Sequence, residues 1–179
     1  IAAEAGAYIR AAFDAFDRDH PEVFWLSGQT IMLYSFGNGK VTFYFVLKSD
    51  EFDIRKDNYQ SEAAIKAGIA ERESCIANIG VKGNTPVEKI TYFNDWLTKH
   101  NQYNTIVSGG GNGPEMAHEC MSALKGSIGT EGPVCEGYAR AFKILCDRVG
   151  IPCVLVDGNA RSSNADKGGA HMWNYVQID

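Results

Sequence analysis

Cys135 stands in the stretch GPVCEGYARAF, directly after Gly132-Pro133-Val134 and directly before a segment with helical spacing. Tyr138, Phe142, Leu145 and Val149 recur at steps of four, three and four, the pattern of one face of a buried helix. Gly150 follows as a C-cap candidate and Pro152 blocks continuation, so the helix is expected over about 135–149. A thiol in the first turn meets unpaired backbone N–H groups and the positive end of the helix dipole, both of which favour a thiolate. Gly132-Pro133 lets the chain turn tightly, and Gly137, one turn in, is expected to leave access to the sulfur open. A nucleophilic thiolate also needs a base to accept and return its proton. His171, in AHMWNYVQID, is the candidate. It follows the loop GNARSSNADKGGA and is expected to begin a strand, by the alternation of Met172, Asn174, Val176 and Ile178. The strand CVLVDG (153–158) links the helix to that loop, which brings residues 135 and 171 within reach of each other. Trp173 and Tyr103 are candidates for lining the substrate cleft.

Each of these residues also has a plainer use. A cysteine is most often a small buried hydrophobe, and Cys75, Cys120, Cys146 and Cys153 are read that way. A lone histidine is more often structural or solvated, as expected for His20 and His100 at helix ends. Aromatic residues beside strands, Trp173 and Tyr103 included, are more often core. His118, Cys120, Cys135 and His171 lack any metal-ligand spacing, so no metal site is expected. The absence of a CxxC pair speaks against a redox dithiol, and the Gly-rich loops contain no GxxxxGK[ST] for a phosphate.

The elements that must position the pair follow from periodicity. AEAGAYIRAAFDAF has apolar residues at Tyr8, Ile9, Ala12, Phe13 and Phe16, a helix expected to stop before DRDHPEVFWL. In TIMLYSFGNGKVTFYFVLK, Asn38-Gly39 suits a type I′ turn. That turn sets Phe36 opposite Val41, Tyr34 opposite Phe43 and Met32 opposite Phe45, with one continuously apolar face. A helix is expected over 59–79 through Ile65, Ile69, Ile76 and Ile79. Another begins at Thr85 as N-cap, with Pro86 in the first position, Glu88 completing a capping box, and Ile90, Phe93 and Leu97 as its inner stripe. SGGGNGP (108–114) reads as a loop and EMAHECMSALKG as a short helix. Helices and antiparallel strands are segregated, which places the chain in the α+β class. The expected division is an N-terminal helix and β-hairpin segment at 1–57 and a core at 58–179.

With 179 residues, 45% apolar and 22% charged, the chain can bury a sizeable core and is not composed like a disordered one. A net charge of −5 without a cluster of Lys and Arg argues against nucleic acid as a partner. No apolar run reaches the roughly 20 residues of a membrane span. Five cysteines are an odd number, so at least one thiol is expected to be free in the monomer. The chain opens at IAAEAGAY without an initiator Met, and a segment upstream, such as a signal peptide, is expected to have been removed or left out.

GPVCEGYARAFKILCDRVGIP and AHMWNYVQID, with a weaker echo in YFNDWLTKHNQY, resemble the transglutaminase-like superfamily, whose core is papain-like. The resemblance covers about residues 85–179. It implies Cys135 as the nucleophile and His171 as general base and acid, on a helix packed against an antiparallel sheet. The activity it implies is acyl transfer on peptide or protein amides through a thioester, ending in crosslinking, deamidation or hydrolysis, with no organic cofactor. The alternative is a non-catalytic cell-surface or cell-wall module that keeps the fold. The leading segment, DHPEVFWL included, resembles bacterial secreted members and implies an extracellular or surface location. The family's third catalytic residue is an Asp on the strand after the histidine strand. Asp179 lines up with the turn before that strand, so the acid is expected beyond Asp179, with the core continuing past it; Asp157 or Asp179 itself would be the substitutes.

Overall fold

A computed structural model describes residues 2–26, 32–46, 48, 53–161 and 168–178. In chain order the helices are α1 (Ala2–Asp19), α2 (Glu62–Ile79), α3 (Pro86–His100), α4 (Thr105–Ser108), α5 (Cys120–Leu124) and α6 (Cys135–Arg148). The strands are β1 (Met32–Gly37), β2 (Lys40–Phe45), β3 (Cys153–Ala160) and β4 (Gly169–Val176). β1 pairs with β2 and β3 with β4, each antiparallel. The class is α+β, as expected.

Packing divides the chain into two compact units, residues 1–17 with 23–71, and residues 18–22 with 72–179. The sequence-based division at 57/58 falls inside the first of these. In that unit, Phe24 is fully buried and stands edge-on to Trp25 and Tyr59, with ring centres 5.3 and 5.2 Å away. Gly68 of α2 belongs to the same cluster, because a Cβ there would come within 2.7 Å of the Tyr59 ring. Lys56 tethers the DHPEVFWL stretch, its backbone N–H donating to the Trp25 carbonyl and its ammonium to the Phe24 carbonyl. Helix α1 runs to Asp19, beyond the expected stop after Phe16. Phe13 is its buried aromatic, whereas Tyr8 and Phe16 are exposed.

The β1–β2 register agrees with expectation: Phe36↔Val41, Tyr34↔Phe43 and Met32↔Phe45. Asn38 (φ 52°) and Gly39 (φ 72°) both take the positive φ of a type I′ turn. The apolar face proposed for this hairpin rests on side chains that lie outside the described residues.

In the second unit α3 starts as its sequence predicts. The Thr85 hydroxyl accepts from the Glu88 N–H and the Glu88 carboxylate accepts from the Thr85 N–H, a complete capping box behind Pro86. Phe93 and Leu97 of its inner stripe are buried. α2 begins at Glu62, three residues after the expected start, because 57–59 form a separate 3-10 turn. The short helix expected in EMAHECMSALKG is broken in two, a 3-10 turn at Glu115–His118 and α5, with Glu119 extended between them. α6 closes in a Schellman motif: Gly150 (φ 71°) donates to the Asp147 carbonyl and Ile151 to that of Cys146. Ala139, Ala141, Leu145 and Cys146 bury α6 in the centre of this unit, beside Val134, Ile151, Cys153 and Leu155.

Candidate active site

Cys135 is the first residue of α6, and the residues before it explain why the helix starts there. Val134 is extended, and its N–H donates to the Ala117 carbonyl at 3.0 Å, outside the helix. Its own carbonyl accepts the first helical bond, from the Tyr138 N–H at 3.1 Å. The side chain of Val134 offers no cap to the helix N–H groups, so the first turn keeps donors free around the thiol. Gly137 has a different use from the one expected. A Cβ there would lie 2.6 Å from the Ala117 carbonyl oxygen and 2.8 Å from the Ser122 hydroxyl. The glycine lets α6 press against the 115–124 segment; it does not clear a path to the sulfur.

A second strip of chain is clamped alongside. The Gln102 N–H donates to the Ser127 carbonyl and the Asn104 N–H to that of Pro133, both at 3.0 Å, while the Asn104 amide donates to the Thr130 carbonyl at 2.8 Å. Gly132 permits this approach, since a Cβ there would collide with the Gln102 carbonyl. The strip delivers Tyr103 to the thiol. It stands beside Cys135, and the two line the same cavity. Burial first, and the negative charge of an ionised Cys135 second, raise the phenol pKa above its ordinary value. The Tyr103 ring lies parallel to that of Tyr138 at 6.2 Å.

His171 comes from the sheet. β4 starts at Gly169, so the histidine is the third strand residue and not the first, and it pairs with Gly158 of β3. The sheet is two-stranded among the described residues. The His171 and Trp173 rings, two residues apart on one strand face, have centres 6.3 Å apart at 28°. Trp173 folds over Gly158, where a Cβ would come 3.0 Å from the indole Cζ3. Asn174, on the opposite strand face, donates to the Ala139 carbonyl at 3.0 Å and ties β4 to α6.

One cavity of about 570 Å³ is lined by Cys135, His171, Tyr103 and Trp173 together, all four residues singled out from the sequence. Tyr138 and Phe142 also line it and are only partly buried, so the stripe read as a buried face is, at these two positions, a cleft wall. Asp157, one candidate for the acid that orients His171, forms an exposed ion pair with Arg18 instead. Asp179, the other, lies outside the described residues. Among the described residues, no hydrogen bond to the His171 ring is present.

A neighbouring charge cluster was not visible from the sequence as such. Glu136 accepts from Arg140 Nε and Nη2 at 3.1 and 2.8 Å, and pairs with His118 Nδ1 at 3.0 Å. The Glu-x-x-x-Arg spacing on α6 was the available signal for half of it. Burial alone would raise the Glu136 pKa, but the His118 hydrogen bond and the Arg140 charge outweigh it and hold the carboxylate low. The same hydrogen bond raises the His118 pKa. Cys120 is fully buried, and among the described residues no three His, Cys, Asp or Glu side chains are grouped to hold a metal. Cys146 and Cys153 are buried and face each other. The hydrogen bond with Cys153, followed by burial, pushes the Cys146 thiol far up, and its counterpart on Cys153 is lowered.

Comparison with known proteins gives a consistent result. A family model described as the transglutaminase-like superfamily matches residues 74–179. Human kyphoscoliosis peptidase is 23% identical over 143 residues, covering 74% of this chain and 20% of that protein. The mouse protein of the same name is 24% identical over 143 residues with the same coverage. The chain thus spans about a fifth of the length of these curated relatives.

Proposed function

Because this chain belongs to the transglutaminase-like superfamily, we propose that it is a cysteine-dependent acyltransferase or peptidase acting on peptide or protein amides. The Cys135 thiolate adds to the carbonyl carbon, and the developing oxyanion takes a hydrogen bond from the Cys135 backbone N–H. His171 gives a proton to the leaving amine as the C–N bond breaks, and a thioester remains on Cys135. His171 then activates the acceptor: water yields hydrolysis or deamidation, an amine yields a crosslink. The name of the relatives, a peptidase, favours water. An extracellular or cell-surface setting belongs to the same proposal and is tested by fractionating the producing cell.

The observation that supports this reading most is that the thiol at the start of a 14-residue helix shares one cavity with His171. Iodoacetamide labelling of the native protein, each of the five cysteines read by peptide mapping, tests it. Cys135 labels fastest, and His171→Ala slows that labelling by about 10-fold or more, a loss that need not reach the roughly 100- to 10,000-fold a positioned base contributes to turnover. One observation favours the rival reading, a binding module without activity: Asp157 is engaged by Arg18 and not by His171. An inert Cys135, or one indifferent to His171→Ala, decides for that rival.

A further inference from the structure

The cavity beside Cys135 is uncharged apart from its histidine: none of the residues lining it is Asp, Glu, Lys or Arg. Its walls come from α3, the 101–104 strip, α6 and β4, and they carry the rings of Tyr103, Tyr138, Phe142 and Trp173. The charged residues of α6 are engaged elsewhere, Glu136 and Arg140 with His118 and Lys143 with Asp147. Two polar donors in the walls are also committed. Thr98 Oγ1 donates to the Asn94 carbonyl at 2.8 Å, and Asn174 Nδ2 to that of Ala139 at 3.0 Å. Cys135, Tyr138 and Phe142 follow one another at i, i+3 and i+7 along one helix face. At 1.5 Å per residue the trench leads away from the sulfur for about 10 Å. Its volume of about 570 Å³ is more than a backbone alone needs. A charged side chain placed there would shed its water and find no counter-ion other than a protonated His171, whereas an aromatic or long aliphatic one would bury its surface against rings.

We infer that the acyl donor carries an aromatic or large aliphatic side chain on the residue whose carbonyl Cys135 attacks, and that this side chain lies in the trench. The inference rests on the acyl-transfer reading above and adds the substrate class to it. The probes are the p-nitrophenyl esters of N-acetyl-Gly, -Phe, -Leu, -Lys and -Asp. In each, the thiolate adds to the carbonyl carbon, the C–S bond forms, the ester C–O bond breaks, and p-nitrophenolate leaves with the electron pair. Its burst is read at 400 nm after subtraction of the Cys135→Ala background, about 400 nm being the absorption of that anion. The Phe and Leu esters acylate Cys135 about 10- to 100-fold faster, as kcat/KM, than the Lys and Asp esters. Asn94→Lys, a change at an exposed position on the cavity wall, raises the Asp-to-Phe rate ratio several-fold by placing a cation there. If the Gly ester acylates Cys135 but Lys or Asp matches Phe, the inference fails and the acyl-transfer reading stands. If no ester gives a Cys135-dependent burst, both fall.

Discussion

At the scale of single residues, the site divides into what chemistry demands and what holds it in place. The candidate thiol and the candidate base stand out in the sequence because few other uses explain a cysteine after Gly-Pro-Val at a helix start, or a His-x-Trp-Asn strand. The His118–Glu136 pair was not legible, since 18 positions separate partners brought together only when the 115–124 segment packs on α6. This pair makes a pH-dependent contribution. The His118 pKa is raised above 6.5, so the stabilisation is fully present below about 6.5 and is lost as pH rises through the folded-state value. Glu136 is held below 4.5, so its share is present above about 4.5 and is lost as pH falls through its folded-state value. Glu119 and Arg140 also act on His118, in opposite senses. With nearly half of the His118 side chain exposed, the pair is worth only about 0.5 kcal/mol after screening. His118→Gln keeps a donor and removes the charge. Urea unfolding of the two proteins should differ at pH 6 and coincide at pH 9; an unchanged difference at pH 9 would refute the assignment.

At the scale of elements, the start of α6 is fixed from both sides. The 115–124 segment holds it through Val134 and Gly137, and the 101–104 strip holds it through Pro133 and Gly132. Sequence periodicity located the helix to within a residue, because its cap signals are local: Cys135 at one end, Gly150 at the other. It misjudged the inner and outer faces. Tyr138 and Phe142 have the spacing of a core stripe, and only the arrangement of α3 and β4 turns that stripe into a wall. The purpose of Gly137 was equally hidden, for a glycine needed by a distant carbonyl has no local signature. Gly137→Ala thrusts a methyl group at the Ala117 carbonyl, which is backbone and cannot swing away. The variant should lose about 1–3 kcal/mol of stability, as overpacked sites do, and should label more slowly at Cys135. Thermal unfolding and iodoacetamide kinetics read the two effects separately; full stability with unchanged labelling would remove Gly137 from this role.

Across the whole molecule, burial is unevenly shared. α6 is enclosed over much of its length, down to the aliphatic stems of Arg140 and Lys143, whose head groups reach Glu136 and Asp147. On α1 the described buried side chain is Phe13. Backbone amides of Ala139–Cys146 should therefore be the last to exchange with deuterium, and those of α1 should exchange well before them. Mass spectrometry of peptic fragments checks the order; α1 outlasting α6 would contradict it. The division into two units was the part of the architecture least open to sequence reading. α2 is continuous by periodicity, yet Gly68 lies with Phe24 and Tyr59 while Ile76 lies in the second unit.

The burial of three thiols has a use in the laboratory. Cys120, Cys146 and Cys153 are spread over α5, α6 and β3, each with 4% exposure or less. None can meet a bulky reagent until its element separates from its neighbours. Their common rate of modification would thus time how often the second unit opens, with no added dye and no mutation. Comparing the three rates would tell whether helix and sheet let go together or one before the other.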